Sequence, residues 1–537
     1  MLKPKFSRFP SRRPCVRENP LLRRGLAGWL AMLAAVWAAQ PVSHARAADT
    51  TDPVIGLLLQ KGVITEDEAA KAEAQIASER TNEAAPQLDS KWKISSGIKS
   101  VELYGDIRLR FEDRDARNSS GDILLQRYRY SLRFGLRGEA ADDFYYGFRL
   151  DTSSNPRSSM VTFGTSANGS IPYSGPYGKS NNGIDVGLVY LGWKPESWFD
   201  ITAGKMPNPL FTSSMVWSPT ITPEGFAEKL KYTVGEADFF GTFGQFLYQD
   251  VNPVQTSPGF FSNLGDYSGS SVPFQLAWQG GVDYHLTKKV DLKVAPVIYD
   301  YVGNPADTAA TATTPYAPGF GGTFVGQGAA TGGSSGFPLG PYNGYYANQT
   351  GINDLQVLEI PVELNYKMDK FDVRAFGDYA QNLSGGSRAD AAYTHSHSPI
   401  YIQNNTPIAT IGSPQTKDNV AYQAGVAIGS PGALGLVNGT ASKRHAWELR
   451  SYWQHIEQYS LDPNLIDLDF FSGQENLQGI YAAAAYGFSD NIIGAFRYGY
   501  ATRINNQLGT GGTGTDIPQM NPINQYSIFQ VDMTLKF

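Results

Sequence analysis

From Val101 onward, apolar and polar residues alternate with a period of two. Along Val101–Glu112 the odd positions are Val101, Leu103, Gly105, Ile107, Leu109 and Phe111; the even ones are Glu102, Tyr104, Asp106, Arg108, Arg110 and Glu112. The parity reverses in the next segment, where Tyr128, Tyr130, Leu132, Phe134 and Leu136 alternate with Arg127, Arg129, Ser131, Arg133 and Arg137. Such alternation predicts strands with one apolar and one hydrophilic face. Sixteen are expected, over 101–112, 126–139, 143–153, 184–194, 199–206, 226–234, 237–248, 273–287, 289–302, 355–368, 371–381, 418–430, 445–458, 476–488, 491–502 and 525–537. Their connections alternate in length. Ala140-Ala141-Asp142 and Asp369-Lys370 are short, whereas 154–183, 249–272, 303–354, 382–417 and 503–524 are long. The Gly-rich 431–444 stands where a short turn is expected. Strands of about ten residues joined this way predict an all-β, transmembrane antiparallel β-barrel, because only closure pairs every backbone group in a bilayer. A soluble sandwich or propeller would bring fixed-period repeats instead.

The last strand places Phe529, Val531, Met533, Leu535 and the terminal Phe537 on one face. Ending on Phe in this pattern resembles the assembly signal of outer-membrane barrels, which implies barrel-assembly machinery as a partner. Aromatics gather near the short turns, at Phe144-Tyr145-Tyr146, Trp193, Trp198-Phe199 and Phe239-Phe240, where interfacial girdles in contact with outer-membrane lipid are expected.

The N-terminal part reads differently. Eight Lys or Arg in residues 1–24 precede an uncharged apolar run, Gly25–Ala39, and the small-residue site Ala45-Arg46-Ala47. This is the pattern of a secretory signal peptide over 1–47, and fifteen residues are short for a membrane anchor. Residues 48–100 are expected to be a periplasmic segment, with a helix around Val54–Leu59 and a second starting at Thr65 with a capping box to Glu68. Either a tether or a spacer fits so short a helical pair. The barrel proper is assigned to 101–537.

Composition changes the picture in three ways. The whole chain has 44 bases and 50 acids; cleavage after Ala47 removes nine bases and one acid, leaving 35 and 49 and a net charge of −14. That balance argues against nucleic-acid binding. The single cysteine, Cys15, leaves with the signal, so no disulfide framework is available. Mean hydropathy of −0.30 excludes a polytopic helical membrane protein despite 30 Tyr, 28 Phe and 9 Trp.

The polar face of the first three strands is basic, with Arg108, Arg110, Arg127, Arg129, Arg133, Arg137 and Arg149. Guanidiniums facing lipid cost roughly 2–4 kcal/mol each near the midplane, so these must line water or pair with acids. Glu363, Arg374 and Arg450 also fall on inward positions. Two arrangements fit: an arginine wall facing an acidic loop across a transverse field, or a network of ion pairs that stiffens the wall. The loop 207–225 is Pro-rich, with Pro207, Asn208, Pro209, Trp217 and Glu224. Such a loop is stiff enough to fold inward as a constriction, with Glu224 toward the arginines.

Gly204-Lys205-Met206-Pro207-Asn208-Pro209, Val216-Trp217-Ser218-Pro219 and Pro223-Glu224-Gly225 resemble the signature of the putative-porin family of Gram-negative outer-membrane proteins. Tyr104–Arg110, Arg127-Tyr128-Arg129 and Leu57–Thr65 are similar to its first strands and N-terminal segment. The resemblance implies a sixteen-stranded, homotrimeric porin with no defined substrate. No function is carried onto 303–354 or 431–444.

No phosphate loop or zinc-protease motif occurs. His395-Ser396-His397 has ligand-like spacing in a Ser/Thr/Asn loop without an evident partner, so neither a metal nor any other cofactor is expected. The chain therefore reads as a non-enzymatic outer-membrane channel for passive diffusion of small hydrophilic solutes and ions. A phosphate-selective porin ranks second, since the inward bases are Arg interleaved with acids and not a lysine ladder. A barrel enzyme or adhesin without an open pore ranks last.

Overall fold

A computed structural model describes residues 97–118, 121–153, 158–163, 183–248, 274–302, 356–385, 417–462, 465–506 and 523–537, together with Lys71, Ser95, Thr510 and the backbone of 401–403 and 406–408. The signal, the expected helices of 51–80 other than Lys71, and the insertion 303–354 lie outside the described residues.

Residues from Ile94 onward build one antiparallel sheet closed on itself. Its strands are β1 (Glu102–Asn118), β2 (Gly121–Glu139), β3 (Phe144–Thr152), β4 (Ile184–Glu196), β5 (Phe199–Lys205), β6 (Glu224–Val234), β7 (Ala237–Leu247) and β8 (Phe274–Thr287). Then come β9, in two pieces (Val290–Val294 and Val297–Val302), β10 (Gln356–Lys367), β11 (Asp372–Asn382) and β12 (Val420–Gly429). The last four are β13 (Trp447–Ile456), β14 (Leu477–Gly487), β15 (Ile492–Arg503) and β16 (Gln525–Lys536). Each pairs with the next, and β16 returns to β1 from Asp106↔Lys536 to Arg117↔Gln525. This is the expected closed barrel of sixteen strands. The two-residue Val161–Thr162 adds only a patch beside β2, and Tyr401–Gln403 pairs with Thr406–Ile408 as a separate hairpin.

Phe537 completes the closure. Its backbone exchanges hydrogen bonds of 2.9 and 3.1 Å with Gly105, and its ring fills the space a Cβ at Gly105 would need.

Two strand expectations change. β1 and β2 continue past the expected 112 and 126 until Asn118 pairs with Gly121, so 113–125 is not a loop. The inward parity runs on through Arg114 and Ala116, but the outward positions become Asp113, Asp115 and Arg117. An outward face that meets water in place of lipid loses the apolar half of its pattern. The ninth strand breaks at Ala295-Pro296 because proline has no N–H for the ladder.

The outer face is apolar: Ile107, Leu132, Leu191, Phe226, Leu449, Ile480 and Phe496 are all exposed. Near the turns, Trp193 lies between Phe144 and Phe199 at centroid distances of 6.2 and 6.4 Å, and Tyr486 meets Phe488 at 5.3 Å. The opposite, inward positions carry charged residues such as Asp106, Arg110, Glu112 and Arg114.

Candidate functional site: three inward loops and the channel wall

The loop 206–223 leaves β5 after Lys205, next to Gly204, whose φ of +117° suits glycine, and its neck is closed by Met206 N–H donating to Pro223 O at 2.9 Å. Asn208 Oδ1 caps the first turn by accepting from Leu210 N–H at 3.0 Å. Trp217 is buried between Phe246 and Tyr299 and donates Nε1–H to Ile221 O at 3.1 Å. The loop then docks on carboxylates of the wall. Thr212 donates to Glu359 Oε1 at 2.6 Å, Ser213 to Asp378, and Tyr299 to Glu359 Oε2 at 2.7 Å. Gln279 clamps Phe211 through both backbone groups at 2.8 and 2.7 Å. The loop is therefore tied to inward-facing side chains of the wall. Glu224, however, stays at its neck in an ion pair with Lys205 at 2.7 Å.

The carboxylate that meets the arginines belongs to a second loop, 457–476, which the sequence reading did not single out. Asp469 accepts from Arg110 Nη1 at 2.7 Å and from Gln530 Nε2 at 3.1 Å. Burial alone would raise its carboxyl, but the charge and hydrogen bond of Arg110, with Arg497 and Arg114 behind, hold it well below the usual carboxylate range. Phe470 anchors this loop on Tyr452 and Tyr481, with Phe471 packed against Phe470. Ser218 N–H donates to Leu465 O at 2.6 Å and joins the two loops. A signal existed: Leu461, Leu465, Leu468, Phe470 and Phe471 among Asp462, Asp467 and Asp469 are unlike the Gly/Ser/Thr-rich surface loops.

The third loop, 430–446, enters from the turn side. Gly435 and Val437 donate N–H to the fully buried Glu448 Oε2 at 2.8 and 2.9 Å, Arg497 donates to Val437 O at 2.6 Å, and Lys536 to Gly439 O at 2.8 Å. Charged wall residues thus hold the uncharged stretch 430–442 of this loop, ahead of Lys443 and Arg444. This is the Gly-rich stretch to which the sequence assigned no role.

The basic face of β1–β3 is internally neutralised. Glu112 receives Arg127 at 2.6 Å and Arg114 at 3.1 Å, with Arg110 and Arg129 at 3.7 and 3.8 Å. Asp532 holds Arg110 at 2.6 Å and also pairs with Arg497. Arg133 meets Asp106 and Arg149 meets Asp151, each at 2.6 Å, and Arg129 donates to Met160 O at 2.9 Å. Arg137 pairs with Glu102 where both are exposed. The Nε of Arg108 is buried without a hydrogen-bond acceptor.

Across β10–β13 the arrangement is looser. A cavity of about 420 Å³ is bounded by Pro207, Asn208 and Trp217 of the first loop, by Asn438 and Thr440 of the third, and by Glu363, Arg374, Gln423, Arg450 and Tyr452 of the wall. Six residues singled out from sequence thus meet in one compartment. Pro209 stays within the loop without lining the cavity. Gln423 and Tyr452 were missed, because alternation identifies an inward position but not what its side chain meets. His395 and His397 lie outside the described residues, and among those described no cluster of His, Cys, Asp and Glu is placed to hold a metal.

Among solved structures the chain is similar to the outer membrane channel DcaP of Acinetobacter baumannii, at 11% identity, TM-score 0.39, and coverage of 83% of this chain and 99% of that one. It is similar to OmpF of Salmonella typhi in complex with daunomycin, at 11%, 0.41, 83% and 100%. The same holds for OmpT, an outer membrane protein of Vibrio cholerae, at 9%, 0.36, 82% and 100%. No curated protein matches. The family model described as putative porin matches residues 117–537, which is well over half of the sequence. The chain belongs to the putative-porin family.

Proposed function

We propose that this outer-membrane porin passes small hydrophilic solutes and ions passively through the gap between its three inward loops and the β10–β13 face. The cavity carries the reading: it lies inside a closed barrel, is polar on one side, and gathers Glu363, Arg374 and Arg450 against a proline-stiffened loop. Two guanidiniums against one carboxylate give a weak preference for anions. Cleavage of residues 1–47 and assembly as a homotrimer complete the proposal, on the signal-like N-terminus and the family respectively. The test is a planar bilayer. Purified protein should give discrete conductance steps in potassium chloride; a barrel that inserts yet gives none overturns the reading and favours a displayed enzyme or adhesin.

A further inference from the structure

Building on the channel reading, we infer that the β11–β13 cavity is a binding compartment for small aromatic carboxylates that bear a hydrogen-bonding group at the end remote from the carboxylate. The strand register arranges three rows on the inner wall. Arg374, Ala427 and Arg450 form the first, Phe376, Gly425 and Tyr452 the second, and Asp378, Gln423 and Gln454 the third.

The first row supplies a place for an anion. Arg374 and Arg450 both line the cavity, and Ala427 between them in the row is buried and adds only a methyl group. Arg374 spends only Nε, donated to Asn365 Oδ1 at 2.7 Å, and its nearest carboxylate, Glu363, is 3.6 Å away. Its Nη groups therefore keep their donors among the described residues. Arg450 is oriented by Glu448, which accepts from its Nε and Nη2 at 3.1 and 3.0 Å and leaves Nη1 free. Two forked cations side by side suit a planar carboxylate.

The second row supplies an aromatic shelf. Phe376 lies over Gly425 and meets Tyr452 at a centroid distance of 6.0 Å, with Phe211 and Trp217 of the inward loop lining the opposite side. The third row supplies the independent observation. Gln423 is only 7% exposed and lines the cavity, and its Oε1 accepts no hydrogen bond. A buried amide oxygen in that state calls for a donor. The first and third rows stand four residues apart, about 13 Å of backbone, within reach of one ring with a polar group at each end once the Arg and Gln side chains add their own length.

The test is calorimetry on the full chain in detergent, so that binding is read without current. Saturable binding of 4-hydroxyphenylacetate is expected, with acetate and 4-hydroxybenzyl alcohol each weaker by about tenfold or more, the loss that follows from removing the ring or the charge-assisted bonds. Arg374→Gln should weaken 4-hydroxyphenylacetate about tenfold. Gln423→Leu should weaken it several-fold and leave phenylacetate unchanged. Equal binding of acetate and the aromatic acid overturns the inference, as does parental affinity in both variants; heat-dependent gel migration verifies that each variant is a folded barrel. Conductance steps without this binding overturn the compartment and leave the channel, whereas binding without steps keeps the compartment and overturns the channel.

Discussion

Two faces of one lumen use the same residue in opposite ways. On β1, β2, β15 and β16, arginines crowd around Glu112, Asp532 and Asp469, and nearly every guanidinium is answered locally. On β11–β13, Arg374 and Arg450 are fewer but keep donors free, and a buried glutamine keeps an unmatched oxygen. The crowded face is stiff; the sparse face is available to solutes. Counting bases along a strand would rank the two the other way. Charge that is paired at contact distance has little field left over to act across the lumen.

The sharpest way to break this contrast is to remove the shared carboxylate. Glu112 is fully buried among four guanidiniums. Glu112→Gln should lower the unfolding free energy by about 3–5 kcal/mol, because it strands charges that cannot reach water. Glu363→Gln, on a side chain 26% exposed, should cost under about 1 kcal/mol. Urea unfolding of both variants reads the difference, and equal costs would dissolve the distinction.

Selectivity sharpens the same contrast with a smaller effect. In a salt gradient, Arg374→Gln should move the zero-current potential toward the potassium value. Removing the pair Arg133–Asp106 together, as Arg133→Gln with Asp106→Asn, should leave it in place, since the two charges already cancel at 2.6 Å. A shift as large from the pair would restore a transverse field as the source of selectivity.

Much of the barrel was legible because a lipid-facing strand must alternate, and the inward parity of Glu363, Arg374 and Arg450 followed from it. Alternation fails where its cause fails. Asp113, Asp115 and Arg117 stand where the outward face of β1 turns polar, so the strand end was misplaced. The loop 207–225 announced itself through proline. Loop 457–476 did not, because its apolar residues follow no regular period and their role appears only when Phe470 meets Tyr481 and Asp469 meets Arg110. Gln423 was beyond sequence reasoning altogether, since an unmet hydrogen bond is a property of neighbours.

The lumenal loop offers a subtler probe through pH. Asp469 has a lowered carboxyl in the folded barrel against an ordinary value of about 3.9 unfolded. Its ionised form therefore stabilises fully above the unfolded value, and that contribution fades as pH falls toward the folded one. The parent should be more stable than Asp469→Asn by a constant margin from neutrality down to about pH 5, and the margin should close only in stronger acid. A margin that closes near neutrality would detach Asp469 from Arg110.

The smallest effect belongs to an arginine that sequence placed with the wall and the structure sets at its rim. Arg137 donates to both oxygens of Glu102, at 2.7 and 2.9 Å, and lies 4.8 Å from the Tyr104 ring, which would rank it among the strong pairs on geometry alone. Yet the two side chains are 52% and 59% exposed, and water competes for every one of those contacts. Arg137→Gln should therefore change unfolding by less than about 1 kcal/mol. A loss close to that of Glu112→Gln, measured in the same urea series, would mean that pairing geometry and not burial decides which arginines hold the barrel together.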